Sequence, residues 1–331
     1  MTGRTIVYLP NWLGDMVMAV PFLHALRSYV HGEIWCVGKP DAIHIYNGLE
    51  LFDRFLPYDG KGVVSFFEIV GELKGTDFKR SIVLPHSFRS ALLFYNLRIK
   101  ERIGYSKNGR GFMLTTKITE AHEPEPTVEH YLKIIDALGC KRSLDVPVLM
   151  VTEDEERRFD EVYTDMNKAY GVFIVDAHYG PSKCWPVEHF STLADMIAGK
   201  YGIKIYMVPA KDGEEVALKV KEGAKNKDCM EIKLLDMRDL KVCLSRASFV
   251  VSNDTGPRHI SAALSIPTIV LLGPMDNRYT AYPSPYIYAI EKEISCRPCN
   301  KKACDRGHEC LREIEPKEVF KMVEEILEDK R

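Results

Sequence analysis

Short β-branched and apolar runs alternate with amphipathic stretches along this chain, and the alternation runs through twice. Few architectures accommodate that order other than a parallel sheet covered by helices. In the first series a strand at 5–9 leads into Pro10-Asn11-Trp12-Leu13-Gly14-Asp15 and a helix over 16–29. Strands at 33–37 and 81–84 follow, with helices at 64–73, 90–97 and 131–138. A polar, Pro-containing segment covers 120–126, and 146–151 reads as a strand or an extended linker. The second series sets strands at 171–176, 204–208, 249–252 and 268–272 against helices at 189–201, 212–222 and within 254–264. A final amphipathic helix covers 317–329.

A chain of 331 residues exceeds one ordinary core. The expectation is an α/β protein of two Rossmann-like domains, 1–160 and 161–315, facing a central cleft. The terminal helix, 316–331, is expected to pack back toward the first domain. Apolar residues make up 46% of the chain and charged residues 28%, as in soluble globular proteins. A net charge of −2 provides no general field for nucleic acid. No apolar run is long enough to span a bilayer, and the N-terminus enters a strand without a leader-like apolar region. A cytoplasmic location is therefore expected, where nine cysteines do not ordinarily form a disulfide framework.

Ligands of such sheets sit beyond the carboxyl ends of strands. Two loops there carry chemistry. Val250-Val251-Ser252-Asn253-Asp254-Thr255-Gly256-Pro257-Arg258-His259 is a strand running into a helix start, with Pro257 suited to the first turn. Its backbone N–H groups can cradle an anion. An ordinary βα turn capped by Asp254 is the plainer reading. Asp15 stands at the equivalent place in the first series. Near a helix start it is expected to stay ionised, and an ionised carboxylate can deprotonate a sugar hydroxyl; N-capping is the plainer alternative. Lys183, in the turn His178-Tyr179-Gly180-Pro181-Ser182-Lys183-Cys184-Trp185-Pro186, can neutralise a diphosphate or simply be solvated, while Trp185 anchors the loop. Glu214 and Glu215, after the strand at 204–208, can meet ribose hydroxyls or merely enrich a helix first turn in acid. No Gly-x-Gly-x-x-Gly follows a strand, which argues against a dinucleotide enzyme.

Residues 86–117 are one-sidedly basic, with Arg89, Arg98, Lys100, Arg102, Lys107, Arg110 and Lys117 against Glu101. An acidic ligand suits that surface. Cys296, Cys299, Cys304 and Cys310 lie close in sequence, with His308 among them. Four thiols at this spacing suit a structural Zn²⁺; two local disulfides are the alternative, and an iron–sulfur cluster fits less well.

Together these motifs resemble glycosyltransferase family 9, the ADP-heptose:lipopolysaccharide heptosyltransferases, with the heptosyltransferase II branch nearest. The resemblance rests on Pro10 to Met16, Leu84 to Ala91, Arg102 to Tyr105, Gly180 to Pro186, Asn253 to His259 and Leu272-Gly273-Pro274, in that order. It implies the GT-B architecture and an inverting transfer of heptose from ADP-heptose to the lipopolysaccharide inner core, without a catalytic metal. It implies Asp15 as the base and Lys183 on the donor diphosphate. Asp254, with Thr255, Gly256 and His259, falls at the heptose, Glu215 at the ribose and Leu235 at adenine. On this reading Arg89, Arg98, Arg102 and Arg110 hold an anionic acceptor at the inner-membrane surface. Arg258 and Cys184 depart from the family pattern. Two other readings stay open: a glycosyltransferase using another nucleotide-diphospho-sugar, and a non-enzymatic nucleotide-binding or redox-sensing protein.

Overall fold

Each series of alternation builds its own all-parallel sheet in the computed structural model, which describes residues 3–166 and 168–329. The first contains β1 (Arg4–Tyr8), β2 (Ile34–Gly38), β3 (Arg54–Pro57), β4 (Phe78–Val83), β5 (Glu101–Tyr105) and β6 (Thr116–Ile118). The second contains β7 (Tyr170–Ile174), β8 (Lys204–Met207), β9 (Met230–Ile232), β10 (Phe249–Asn253), β11 (Thr268–Leu272) and β12 (Ile287–Glu291). The strand orders are β3-β2-β1-β4-β5-β6 and β12-β11-β10-β7-β8-β9. Read from β7 as the first strand, the second order is the mirror listing of the first, so both sheets are Rossmann-like and the fold is α/β of the GT-B kind. Each reverses direction at one switch point, β1/β4 and β7/β10, where such sheets take their ligands.

The central strands are buried on both faces, which is why β1, β2, β7, β10 and β11 read as continuous apolar runs. Ile6, Tyr8, Val37, Leu56, Phe66 and Phe94 anchor the first core. Phe173, Trp185, Phe190, Val251 and Leu271 anchor the second. The helix expected over 16–29 is two, Leu13–Met18 and Val20–Tyr29. Pro21 has no N–H to give to the carbonyl four residues back, so the helix restarts there. The segment 146–151 is linker rather than strand.

The chain divides into one unit of Met1–Met150 with Arg278–Tyr282 and another of Val151–Asn277 with Pro283–Arg331. The boundary therefore falls before the helix Glu153–Val162, which the sequence reading left in the first domain. A capping box of Thr152 and Glu155 starts that helix. Fully buried Lys241 then ties it to the second unit, with its ammonium 2.8 Å from the Glu155 carboxylate. The terminal helix Pro316–Asp329 likewise corrects the expectation that it returns to the first domain. Its apolar face supplies Val319, Val323 and Ile326 to the second core. No helix among the described residues is long and apolar enough to cross a membrane.

Candidate active site

Asp15 sits in the third position of the helix Leu13–Met18, directly after β1. The N-cap is Trp12, without a side-chain cap bond, so Asp15 does not cap. Among the described residues no side chain pairs with its carboxylate. Burial pushes its pKa up to about 6, outweighing the helix dipole. The group is still largely ionised at neutral pH, but as a stronger base than an ordinary carboxylate. It lines a pocket of about 500 Å³ together with Asn11, Trp12, Pro85, His86, Glu120, His130 and Tyr279. Pro85 and His86 follow β4, so the pocket opens at the first sheet's switch point.

One wall of that pocket is a hydrogen-bonded chain that sequence reasoning missed. His86 Nε2 and His130 Nε2 lie 2.8 Å apart, and His130 Nδ1 lies 3.3 Å from Glu125 Oε1. If His130 donates from Nδ1 to Glu125, its Nε2 must accept from His86. The Tyr105 ring stacks on His130 at 3.6 Å, and its hydroxyl donates to the His130 carbonyl at 2.7 Å. Burial, with His130 and Arg110 nearby, pulls His86 down to about 4. Among the described residues, His86, Glu120 and His130 form the set of ligand-type side chains whose atoms come within 4.8 Å of one another. Lys107 already holds Glu120 at 2.8 Å and the two imidazoles hold each other, so the set is internally satisfied. The one local signal was the polar 120–126 segment between two regular elements.

The four arginines expected to bind an acceptor are not gathered at this pocket. Arg110 is fully buried, donating from Nε to the Tyr105 carbonyl at 2.9 Å and from Nη1 to the Pro85 carbonyl. Arg102 braces the Met113 and Ile99 carbonyls. Arg89 donates to the Tyr58 hydroxyl at 2.8 Å and to the Gly62 carbonyl. Arg98 is exposed with φ 54° after a helix end, and it does not line the pocket. Three of the four are internal braces, because a guanidinium fork satisfies several loop carbonyls at once. Only Lys107 of the basic stretch reaches the pocket lining, beside the carboxylates of Asp15, Glu120, Glu123 and Glu125.

At the second switch point, Lys183 follows β7 and Asp254 follows β10. Lys183 Nζ donates to Asp254 Oδ2 and to the Asp254 carbonyl, both at 2.9 Å. Arg258 Nε donates to Asp254 Oδ1 at 2.8 Å. Asp254 caps nothing, since the helix Pro257–Ala263 has Gly256 at its N-cap and Pro257 in its first turn. Burial alone would raise the Asp254 carboxyl, but Arg258 and Lys183 outweigh it and hold the group well below the usual carboxylate range. His259 is buried, which pushes its imidazole well down, with Arg258 adding to the effect. Thr255 and Gly256 complete the turn. Lys183 is thus a fixed, mostly buried cation rather than a solvated one.

The turn bearing Lys183 rests on the cysteine-rich loop. Tyr179 donates to the Asn300 carbonyl at 2.8 Å and Ser182 Oγ to the Lys301 carbonyl at 2.6 Å. Gly180, at φ 147°, lies so near Lys302 that a Cβ would stand 2.7 Å from its carbonyl oxygen. Cys296, Cys299, Cys304 and Cys310 all line one small pocket with Ser182, and all four thiols are free. Trp185 anchors the same turn, donating from Nε1 to the Ile314 carbonyl at 2.9 Å.

Glu215 is exposed and paired with Lys219 at 2.6 Å, one turn along its helix. Leu235 is half-buried in the loop after β9. A second acid, Asp176, was missed: it follows β7 and accepts from the Ala210 N–H at 3.1 Å. A Cβ on Gly213 would stand 2.6 Å from it, so glycine there allows the β8 turn to close on the carboxylate. Its signal was the acid ending the run Gly171 to Asp176.

A family profile described as "Glycosyltransferase family 9 (heptosyltransferase)" matches residues 66–309. The lipooligosaccharide heptosyltransferase 2 of Campylobacter jejuni is 23% identical over 98% of this chain and 99% of its own. The structure of Escherichia coli ADP-heptose lipopolysaccharide heptosyltransferase II superposes with a TM-score of 0.86 at 20% identity, covering 99% of each chain. An E. coli heptosyltransferase solved with ADP-2-deoxy-2-fluoro heptose gives 0.71 at 20% identity, covering 97% of this chain and 99% of its own. With the profile spanning most of its length, the chain belongs to glycosyltransferase family 9.

Proposed function

We propose that this glycosyltransferase moves L-glycero-D-manno-heptose from ADP-heptose to the inner core of lipopolysaccharide, with inversion. The observation that carries the reading is Asp15, an unpaired carboxylate raised toward neutrality in a large pocket at the first switch point. Inversion by one displacement needs a base and no covalent nucleophile. Asp15 takes the proton of the acceptor hydroxyl as its oxygen attacks the anomeric carbon, and ADP leaves with the bonding electrons. Lys183 meets the diphosphate, so the charge that grows on ADP is stabilised by a preorganised cation. Asp254 fixes Lys183, and Thr255, Gly256 and His259 shape the turn around the sugar. Glu215 is assigned to the ribose and Leu235 to adenine. The relatives named for heptose transfer to lipopolysaccharide or lipooligosaccharide support the donor and acceptor. We further propose that the enzyme works peripherally on the cytoplasmic face of the inner membrane, where a lipid-linked acceptor would meet it.

The direct test measures turnover with ADP-heptose against UDP- and GDP-sugars on a heptose-deficient lipopolysaccharide acceptor. ADP-heptose is expected to be preferred by at least about a hundredfold in kcat/KM, because the buried polar groups of a matched site are left unpaired by the wrong ligand. Equal use of another nucleotide sugar would replace the donor assignment.

The cysteine pocket is proposed to hold one structural Zn²⁺ through Cys296, Cys299, Cys304 and Cys310. Cys296, Cys299, Cys304 and Cys310 all line a pocket of about 20 Å³, but among the described residues no three of their sulfurs lie within 4.8 Å of one another, so the four would have to draw together around the ion. Cys304 Sγ already accepts the N–H groups of Arg306 and His308, each at 3.3 Å. Metal analysis is expected to find one zinc per chain in the wild type and none in Cys299→Ser. Since the loop braces the Lys183 turn, losing the ion should raise the KM for the donor more than it lowers kcat.

A further inference from the structure

Two cations share one carboxylate at the second switch point. Asp254 gives Oδ2 to Lys183 and Oδ1 to Arg258, while His259 beside them is buried and uncharged. The three charged groups therefore sum to +1. Side-chain exposure grades across them, from 13% for Lys183 to 6% for Asp254 and 2% for Arg258. Arg258 lies deepest, and its buried Nη2 has no hydrogen-bond partner among the described residues.

The arrangement bears on what Lys183 can do. If Asp254 had Lys183 alone, the pair would be neutral. A phosphate drawing the ammonium away would then leave a bare carboxylate in the interior, which is strongly unfavourable. Arg258 removes that obstacle. It keeps Asp254 paired on Oδ1 whatever Lys183 does, and its charge leaves a surplus that an incoming anion can neutralise.

We infer that Arg258 is a positioning residue for donor binding: it is the buried counter-ion that frees Lys183 to grip a phosphate group of the nucleotide. The inference rests on the donor reading above and deepens it. Arg258 need not touch the nucleotide, since it acts through Asp254. The ligand class is an oxyanion of high charge, a diphosphate above all, and the nucleoside portion should be indifferent to residue 258.

The test compares ADP with adenosine by calorimetry on the full chain, for wild type, Arg258→Gln and Arg258→Lys. Glutamine can still donate to Asp254 but removes the charge; lysine keeps it. Arg258→Gln is expected to weaken ADP by about tenfold or more and to leave adenosine within about twofold. Arg258→Lys should recover most of the ADP affinity. The ADP affinity of the wild type should also fall more steeply with salt than that of Arg258→Gln. The KM for the sugar nucleotide should rise in step with the ADP constant while kcat changes less. ADP affinity unchanged in Arg258→Gln overturns the inference. So does equal loss in the glutamine and lysine variants, or equal loss of ADP and adenosine, since those report shape rather than charge. Wild-type protein that binds adenosine and ADP alike overturns the donor reading itself, which separates the two failures.

Discussion

Asp15→Ala is expected to lower kcat by about 10²–10⁴-fold while the KM for the sugar nucleotide stays within about threefold. The size follows from removing a positioned base from an in-line displacement. The selectivity for kcat follows from where Asp15 lies, in the pocket of the first unit, whereas the residues assigned to the donor belong to the second. The wild-type pH profile carries the same information. The base must be ionised to accept a proton, and burial sets its pKa to about 6. Rate should therefore rise with pH through that value and level off above it. An ordinary exposed aspartate would place that limb about two units lower. Turnover of Asp15→Ala within about tenfold of wild type, or a limb at the ordinary carboxylate position, would remove the base from the mechanism.

The second large effect is on stability. Asp254→Ala leaves Arg258 buried without its counter-ion, and breaking a buried pair in this way costs about 3–5 kcal/mol. Urea unfolding of the second unit should move to lower midpoint by the corresponding amount. The pH dependence has a definite sign. The folded carboxyl is held below its ordinary value of 3.8, so its contribution is present in full above that value and is lost as pH falls beneath it. The stability gap between wild type and Asp254→Ala should accordingly narrow as the solution is acidified below about 4. A gap that is small at neutral pH would mean that Arg258 finds other partners.

The readable parts of this fold were those buried on both faces. Runs such as Gly171 to Val175 and Thr268 to Leu272 carry their own signal, because both sides of a central strand must be apolar. The edge strands do not: β3 is Arg-Phe-Leu-Pro, β6 is Thr-Lys-Ile and β9 is Met-Glu-Ile, each short and half-exposed. Strand β5 is internal, but its half-buried start, Glu101 and Arg102, hides it behind charge. Loops after central strands could be read as ligand loops, so Asp15, Lys183 and Asp254 were singled out. What they pair with could not be read, because the Lys183–Asp254–Arg258 set joins two loops far apart in sequence. The basic 86–117 stretch misled in an instructive way. One-sided charge in sequence suggested a surface for anions, yet Arg102 and Arg110 spend donors on loop carbonyls, and Arg89 on the Tyr58 hydroxyl and the Gly62 carbonyl. Charge counts treat an arginine as a point of sign, and loops use it as a fork.

The first unit is not one continuous piece of chain. Residues Arg278–Tyr282 belong to it although everything around them belongs to the second. Thr127 Oγ1 donates to the Tyr279 carbonyl at 2.9 Å, and Tyr279 lines the Asp15 pocket. On the ribosome, then, Asp15, His86 and His130 emerge early, but the wall that Tyr279 provides arrives only after well over a hundred further residues. At roughly 5–20 residues per second the nascent chain spends several seconds or more with that pocket unfinished. Completion of that pocket is thereby timed by synthesis of the carboxyl-terminal half, and a ribosome stalled between the two would display Asp15 in a pocket that lacks its Tyr279 wall.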